Sequence, residues 1–175
     1  FKLFCKNNMI NIQDKPTIVI TGVSSFIGIH LTKHFVGLGF KIICTLSTSK
    51  IFYSDERLDR INLAIQMGAQ IETLDLTDKD KVKDFIKYFK PKYWLHHAGW
   101  ATNYSSHDFD MAAAFKINSA PLDYIYPTLK SIGCLGVIIT GSSAEYSDNN
   151  NASKESSMCA PAMPYGLAKL NQTLR

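Results

Sequence analysis

The chain has 175 residues, 46% of them hydrophobic, which is enough to bury the core of one domain. Its formal net charge of +4 is spread without a basic block, so the composition argues against a nucleic-acid-binding surface. The sequence shows no apolar run of membrane-spanning length and no metal-ligand spacing among its four cysteines, which predicts free thiols in a reducing, cytoplasmic compartment.

The two ends of the chain are interpreted separately from its middle. Residues 1–15 are expected to be an N-terminal extension or an appended remnant, since the chain begins with Phe1 and Met9 offers a natural start. Residues 16–175 are expected to form one domain. Arg175 falls inside a helical pattern that begins near Pro164, so we expect more chain to follow it.

Apolar segments of two periodicities alternate along residues 16–175. Thr17-Ile18-Val19-Ile20 is continuously apolar and β-branched, as a buried parallel strand is, and the next segment is apolar at helical spacing. The predicted strands are 17–20, 41–46, 71–74, 93–97 and 135–140, and the predicted helices begin near 27, 55, 77, 108 and 164. This alternation predicts an α/β fold of the Rossmann type, a doubly wound parallel sheet with helices on both faces.

The carboxyl ends of the predicted strands are the expected place for a ligand. In such sheets ligands bind beyond those ends, near the point where the strand order reverses. Four segments follow strand ends and are expected to meet in one cleft. They are the turn at Gly22, Asp75-Leu76, His97-Ala98-Gly99 and Gly141-Ser142-Ser143.

The turn between the first strand and the first helix reads Thr21-Gly22-Val23-Ser24-Ser25-Phe26-Ile27-Gly28. Gly22 permits a sharp turn, and Gly28 lets the helix pack closely on the strand. The helix N-terminus then offers N–H donors and a partial positive charge to a pyrophosphate. A tight structural turn without a ligand is the alternative, but the strand before and the helix after favour dinucleotide binding.

Tyr165 and Lys169 form a second informative pair. They are four residues apart in a predicted helix and therefore project from one face. A nearby ammonium favours the phenolate, so Lys169 is expected to lower the pKa of Tyr165 and make it a usable proton donor and acceptor. The alternative is an exposed helical pair without a function.

These motifs, taken in order, resemble those of the extended short-chain dehydrogenase/reductases, the family of NAD(P)-dependent nucleotide-sugar epimerases, dehydratases and reductases. Phe26 is typical of the extended members, which read Gly-Phe-Ile-Gly where shorter members carry a glycine. The spacing of 23 positions from Ser142 to Tyr165 is also similar to the extended branch. The resemblance covers the chain from about Lys15 to Arg175 and rests on the turn at 21–28, Asp75-Leu76, 97–99, Ser142 and the Tyr165/Lys169 pair.

The resemblance implies a set of cofactor-binding positions. The first turn would line the pyrophosphate, Asp75 would accept a hydrogen bond from the adenine amino group, and the backbone of Leu76 would flank the ring. The segment after the fourth strand would pass under the adenosine ribose. The implied cofactor-binding residues are Gly22, Ser24, Ser25, Phe26, Ile27, Gly28, Asp75, Leu76, His97, Ala98, Gly99, Tyr165 and Lys169.

The resemblance also implies catalytic and substrate-binding roles. Ser142 would hydrogen-bond the reacting oxygen of the substrate, with Ser143 as the alternative, and Tyr165 would transfer the proton. Lys169 would bind the nicotinamide ribose. Asn118 would support the lysine side through a helix irregularity, for which Pro121 gives a physical reason because its ring and missing N–H disturb the preceding turn.

Two departures from the family pattern concern the cofactor. Ser25 replaces the middle glycine of the turn, which either weakens cofactor binding or adds a hydrogen bond. The second strand ends without the carboxylate that would hold a ribose 2′-hydroxyl and repel a 2′-phosphate. Because Lys50 and Arg57 are nearby in sequence, we expect NADP in preference to NAD.

Two further side chains have readings that stay open. His96 and His97 are adjacent in a strand and point to opposite faces, so we expect no shared metal ion. Glu145 is either a second acid or base, as in some family dehydratases, or a residue that orients the loop or the sugar.

The resemblance implies an NAD(P)-dependent epimerase, dehydratase or reductase that acts on a nucleotide-sugar, with its substrate domain beyond Arg175. The alternatives are a non-catalytic dinucleotide-binding sensor or interaction module and a reductase of small carbonyl compounds. The segments beginning near Asp108 and Pro164 are those through which the family often dimerises, so a homodimer is expected. We expect no nucleic-acid or membrane partner.

Overall fold

The computed structural model describes residues 15–147 and 152–175. The predicted extension before Lys15, including Cys5 and Met9, therefore lies outside the described residues. The strands are β1 (Thr17–Thr21), β2 (Lys41–Leu46), β3 (Gln70–Thr73), β4 (Tyr93–His96) and β5 (Gly136–Ile139). The α-helices are α1 (Phe26–Gly37), α2 (Asp55–Gln66), α3 (Lys79–Phe89), α4 (Met111–Ala114), α5 (Leu122–Ser131) and α6 (Pro164–Thr173).

The five strands form one parallel sheet in the order β3-β2-β1-β4-β5. In register, Ile20 of β1 lies opposite Cys44 of β2 on one side and Leu95 of β4 on the other. The chain moves outwards from β1 to β3 and then returns to build β4 and β5 on the opposite side. The order therefore reverses between β1 and β4, which places the expected ligand crevice at the carboxyl ends of these two strands.

Helices cover both faces of the sheet, as the sequence predicts. Ile18 and Ile20 point to one face and pack with Ile61 of α2, whereas Val19 points to the other and packs with Ile86 of α3. This alternation is the two-residue period of a strand acting on a strand that is buried on both sides. The doubly wound α/β architecture is confirmed.

The segment predicted to be helical from about 108 to 130 is interrupted where the sequence predicts an irregularity. Residues Phe115–Ser119 form a π-helical turn between α4 and α5, in which the N–H of Ala120 donates to the carbonyl of Phe115, five residues back. Pro121 follows directly and has no N–H with which to continue the ordinary ladder. The extra residue in this turn swings Asn118 into the protein, where its side chain is buried.

The start of α3 differs from the predicted one. The sequence pattern places the helix start at Thr77, but the hydroxyl of Thr77 donates to the Asp75 carboxylate at 2.8 Å. Asp78 is the N-cap instead, and its carboxylate accepts from the backbone N–H of Lys81 at 3.2 Å. The correction has a physical cause, because Asp75 already engages the hydroxyl of Thr77 and Asp78 supplies a carboxylate acceptor.

In residues 15–147 and 152–175, none of the helices combines the length and the apolar character that crossing a lipid bilayer requires. Cys44, Cys134 and Cys159 carry free thiols, as predicted.

Candidate functional site

Two glycines shape the turn between β1 and α1. Gly22 has a φ of +79°, a conformation that side-chain-bearing residues rarely adopt. A Cβ atom at Gly28 would overlap the carbonyl oxygen of Gly22 and would stand only 2.9 Å from its carbonyl carbon. Helix α1 therefore starts against the end of β1 at a distance that only glycine allows.

Ser25 adds hydrogen bonds to this turn without straining it. Its φ of −79° and ψ of 161° are ordinary for any residue, so glycine is not required at this position. The hydroxyl accepts from the N–H of Gly28 at 2.8 Å and is therefore the N-cap of α1. The same oxygen lies 2.8 Å from Nε2 of His97, at the end of β4. These are bonds within the protein, and the effect of Ser25 on cofactor binding stays a prediction.

Two arginines of α2 lie beside the turn. Arg57 donates to the hydroxyl of Ser24 at 3.0 Å, and Arg60 donates to the carbonyl of Ser24 at 3.3 Å. The guanidinium of Arg57 also lies over the ring of Tyr53, 5.1 Å from its centroid. Ser47, which follows β2 where a ribose-binding carboxylate is common, is held through its N–H by the Tyr53 hydroxyl at 3.2 Å. The sequence pointed to Arg57, but Arg60 emerges only from the structure.

The segment after β4 packs against the same turn. The hydroxyl of Thr21 accepts from the N–H groups of His97 and Ala98 at 2.9 and 2.8 Å. A Cβ at Gly22 would lie 3.0 Å from the Cα of Ala98, so the two segments touch through their backbones. The first and third of the four predicted strand-end segments therefore meet, as expected.

Asp75 and Leu76 follow β3, which is an edge strand of the sheet. The Asp75 carboxylate accepts from the N–H and the hydroxyl of Thr77 at 2.9 and 2.8 Å. The carbonyl of Leu76 accepts from the hydroxyl of Tyr124 of α5. These contacts fix the loop between β3 and α3 but do not test its predicted contact with adenine.

Asn118 supports the loop after β4. Its side-chain oxygen accepts from the N–H of Trp100 at 2.5 Å, and its amide nitrogen donates to the Trp100 carbonyl at 3.3 Å. A Cβ at Gly99 would lie 3.0 Å from the same side-chain oxygen. The irregular turn of the helix therefore delivers an amide to the Gly99–Trp100 backbone, and this is the contact that the structure assigns to Asn118.

Ser142 and Glu145 are joined in a capping box at the short 3₁₀ turn Ser143–Glu145, after β5. The buried carboxylate of Glu145 accepts from the N–H of Ser142 at 2.7 Å, and the Ser142 hydroxyl accepts from the N–H of Ala144 at 3.2 Å. A Ser-x-x-Glu pattern is the sequence signal for such a box. Of the readings left open for Glu145, the structure shows the one in which it orients the loop.

Tyr165 lies at the start of α6 beside this turn. Its ring packs edge-on against Phe109 and Tyr104, with centroids 5.7 and 5.6 Å away. Burial raises the pKa of the phenol, the Glu145 carboxylate and Tyr104 raise it further, and a hydrogen bond with the Ser142 side chain lowers it. The expected lowering of this pKa by Lys169 is therefore wrong for the structure described.

The position of the lysine explains this correction. The Lys169 ammonium donates to the carbonyl of Thr140 at 2.6 Å and to the side-chain oxygen of Gln172. Burial lowers the pKa of Lys169, and the carboxylate of Glu145 raises it. The ammonium is thus turned towards the end of β5, and burial dominates the pKa of Tyr165. Gln172 is a partner that sequence reasoning missed, although its spacing of three residues from Lys169 is a signal for contact on a helix.

The two neighbouring histidines point to opposite faces, as predicted. His96 is fully buried, and burial together with Lys169 lowers its pKa to about 4. His97 points into the crevice, with Nε2 at 2.8 Å from the Ser25 hydroxyl and Nδ1 at 3.1 Å from the Thr140 hydroxyl. Within the described ranges, no group of three or more potential metal ligands is close enough to hold an ion.

A chain of contacts therefore crosses the crevice from one end to the other. It runs from Ser25 to His97, then to Thr140, whose carbonyl holds Lys169. A cleft of about 360 Å³ lies at the end of β5 and is lined in part by Gly141, Ser142 and Tyr146. The turn after β1 and the polar residues after β5 thus belong to one site, as the strand-end rule predicts.

The fold and this site define a doubly wound α/β domain with a tyrosine, a serine and a lysine near the carboxyl end of β5. The model of the NAD dependent epimerase/dehydratase family matches residues 18–173, so the chain belongs to that family. Among curated protein sequences, none matches this chain significantly.

Several solved structures share this fold. A UDP-Glc/GlcNAc 4-epimerase from Campylobacter jejuni superposes with a TM-score of 0.77 at 22% identity, over 91% of this chain and 47% of that one. The UDP-glucose 4-epimerase of Thermotoga maritima gives 0.72 at 22% identity, over 90% and 49%. The enzyme WbmG of Bordetella bronchiseptica, solved with NAD and UDP, gives 0.72 at 20% identity, over 92% and 49%. The chain spans about half the length of these structures.

The residues present fit a nicotinamide dinucleotide. The glycines of the turn bring backbone and the N-terminus of α1 to the crevice, where a side chain at Gly28 would collide with backbone. Phe26 and Ile27 begin α1 with largely exposed side chains, and the first N–H groups of a helix have no partner within it. The arginines at Ser24 add positive charge to the same edge.

Proposed function

We propose that this chain is the cofactor-binding part of an enzyme that acts on a nucleotide-activated sugar, by hydride transfer with Tyr165 as the proton donor and acceptor. The observation that carries the proposal is the chain of contacts from Ser25, in the turn between β1 and α1, to Lys169. Ser142 and Tyr165 lie near the end of this chain of contacts. Family membership supports the cofactor, and the similar 4-epimerases suggest the substrate class.

Each side chain has a part in this proposal. The phenol of Tyr165 gives a proton to the substrate oxygen or takes one from it, and Ser142 holds the same oxygen by a hydrogen bond. Ser143 is the alternative to Ser142 for the hydrogen bond to the substrate oxygen. A nicotinamide cofactor bound here would supply the redox chemistry, as the acceptor and donor of the hydride. Because burial and Glu145 favour the protonated phenol, the chain itself keeps Tyr165 as an acid.

Lys169 is proposed to act on the cofactor and not on the phenol. Its ammonium is held on the Thr140 carbonyl and Gln172, one helical turn from Tyr165. We propose that it binds the nicotinamide ribose, as the family resemblance implies. Asn118 is proposed to keep the Gly99–Trp100 backbone in place beneath the cofactor through its two hydrogen bonds.

The test of this function combines turnover with binding. Tyr165→Phe removes the hydroxyl and keeps the ring packing, so we expect the loss of turnover on a panel of nucleotide sugars with unchanged cofactor affinity. The panel is offered both to this chain and to any longer form of the protein that its gene encodes. Turnover at the wild-type rate by the variant contradicts the proton-transfer role. Binding of the cofactor without turnover on any sugar favours a non-catalytic sensor or interaction module. Turnover on small carbonyl compounds alone favours a reductase of such compounds.

We further propose that the cofactor is NADP. Arg57 and Arg60 contact Ser24 from α2, and Ser47 rather than a carboxylate follows β2. A 2′-phosphate on the adenosine ribose would meet guanidinium groups here and no opposing negative charge at the strand end. Lys50, the other cation expected from the sequence, is exposed at the start of the 3₁₀ turn Lys50–Phe52.

The NADP preference is tested by the ratio of two dissociation constants. Arg57→Gln is expected to weaken NADP binding about tenfold or more and NAD binding little, because only NADP carries the extra phosphate. Lys87→Gln, on the exposed surface of α3, is the matched loss of a positive charge and should leave the ratio unchanged. Equal affinity of the wild-type chain for NAD and NADP contradicts the preference.

A homodimer is proposed through α6 and the α4–α5 segment. Phe115 and Leu167 on these segments are large apolar side chains that stay substantially exposed, 37% and 50% respectively. Light scattering after size-exclusion chromatography tests this, with Leu167→Glu expected to shift a dimer to monomer. A monomeric wild-type chain at micromolar concentration contradicts the proposal.

A further inference from the structure

We propose that the imidazole of His97 is a ligand of the cofactor pyrophosphate and takes up a proton when the cofactor binds. The inference rests on the proposed function, since it presumes that a dinucleotide occupies the crevice. It goes further by giving one side chain after β4 a direct part in binding and by linking binding to pH.

Several contacts hold the imidazole of His97 against the turn between β1 and α1. Nε2 lies 2.8 Å from the hydroxyl of Ser25, and Nδ1 lies 3.1 Å from the hydroxyl of Thr140. The backbone N–H of His97 donates to Thr21 at 2.9 Å, and a Cβ at Gly22 would lie 3.3 Å from the ring carbon Cδ2. The ring therefore stands beside the turn with a defined orientation.

Nε2 of His97 contacts the hydroxyl of Ser25, which lies at the N-terminus of α1, the end of the helix that attracts anions. Ser25 is the N-cap of α1, and its hydroxyl also accepts from the N–H of Gly28. The N-terminus of a helix attracts an anion through its partial positive charge and its N–H groups. An anion at this helix terminus lies next to the Ser25 hydroxyl, and Nε2 reaches it by exchanging one hydrogen-bond partner.

The charges around the ring explain why the proton arrives with the anion. Burial lowers the pKa of His97, and the Lys169 ammonium of α6 lowers it further. The buried His96 of β4 is a further titratable group near it, while the residue before α1 and the residue after β5 present the uncharged hydroxyls of Ser25 and Thr140. A neighbouring negative charge has the opposite effect and favours the imidazolium. The proton comes from the buffer and forms one N–H bond, and no other bond changes.

The sign of the linkage follows from these directions. Without cofactor the His97 pKa lies below its ordinary value, and with cofactor it is raised. Binding is therefore tightest below the pKa of the free chain and weakens, by up to about tenfold per pH unit, as the pH rises towards the pKa of the complex. Above both values the pH dependence disappears.

NAD is the probe for the test, since its pyrophosphate does not titrate near neutral pH, whereas the 2′-phosphate of NADP does. Calorimetry at pH 6, 7 and 8 in buffers of different protonation enthalpy should show weaker binding at higher pH and uptake of a fraction of a proton that approaches one. His97→Gln keeps a hydrogen-bonding amide but has no titratable proton, so it should lose both the slope and the uptake. His107→Gln, in an exposed loop, is the matched control and should keep both.

The outcomes separate this inference from the proposed function. If NAD binds the wild-type chain with no pH slope and no proton uptake, the inference is overturned while the function stands. A wild-type slope in His97→Gln also overturns it. If neither dinucleotide binds at any pH, the proposed function fails and takes the inference with it. Should the variant not fold, the NMR titration of the His97 ring in the wild-type chain decides, since its pKa must rise when NAD is added.

Discussion

Replacing Gly28 by alanine should damage the protein, whereas the same change at Gly37 in the same helix should not. Both residues belong to α1, where alanine is intrinsically favoured over glycine by about 0.5–1 kcal/mol. At Gly37 a Cβ meets nothing within 4 Å, so Gly37→Ala should leave stability unchanged or raise it by up to about 1 kcal/mol. At Gly28 a Cβ overlaps the Gly22 carbonyl oxygen and stands 2.9 Å from its carbon.

The cost of Gly28→Ala follows from that overlap. Normal carbon contacts lie near 3.5–4.0 Å, so the start of α1 must move from β1 by roughly 1 Å. Overpacking of this kind costs about 1–3 kcal/mol, and here backbone rather than a flexible side chain must give way. The two variants are compared by urea unfolding and by cofactor affinity, and Gly28→Ala should lose on both measures. Equal stability and equal affinity of the two variants would refute the close approach of α1 to the turn.

Three further changes test other parts of the structure. Thr21→Val removes the hydroxyl that accepts two backbone N–H groups after β4, so it should cost about 1–3 kcal/mol for each, measured by urea unfolding; no loss would contradict those bonds. Asp78→Ala removes the N-cap carboxylate of α3 and should lower the urea midpoint of unfolding more than Thr77→Ala does, and the reverse order would support the helix start predicted near Thr77. Burial raises the pKa of the Cys44 thiol to about 11. At pH 8 a maleimide should therefore label the exposed Cys159 rapidly and Cys44 slowly, as followed by mass spectrometry. Equal labelling rates would contradict the burial of Cys44.

Much of the architecture follows from local patterns in the sequence. The strand at Thr17–Thr21 is β-branched at every position and has an apolar centre that is buried on both faces, and that signal is readable without a structure. The helix at Asp55–Gln66 begins at the predicted residue, because its apolar spacing is a local signal. Strand ends are harder to place, since the last residue of a strand depends on its neighbour: β4 ends at His96, before the predicted limit.

The meeting of the segments after β1 and β4 could be predicted from the sequence, whereas the contacts of single side chains could not. The strand-end rule brought together the turn at Gly22 and the segment after β4 because it uses only topology. The partners of individual groups depend on distances across the fold. The chain of hydrogen bonds through His97 links residues 72 and 43 positions apart, which no local pattern reports.

The sequence alone determined the alternation of strands and helices, the family and the residue types at the crevice, because these depend on periodicity and on motifs a few residues long. The tertiary structure decided where charges and hydrogen bonds go. Lys169 turns to Thr140 and Gln172, so burial rather than the ammonium sets the direction of the Tyr165 pKa. Burial and Coulomb interactions are sums over everything packed around a group, and that surrounding exists only once the chain has folded.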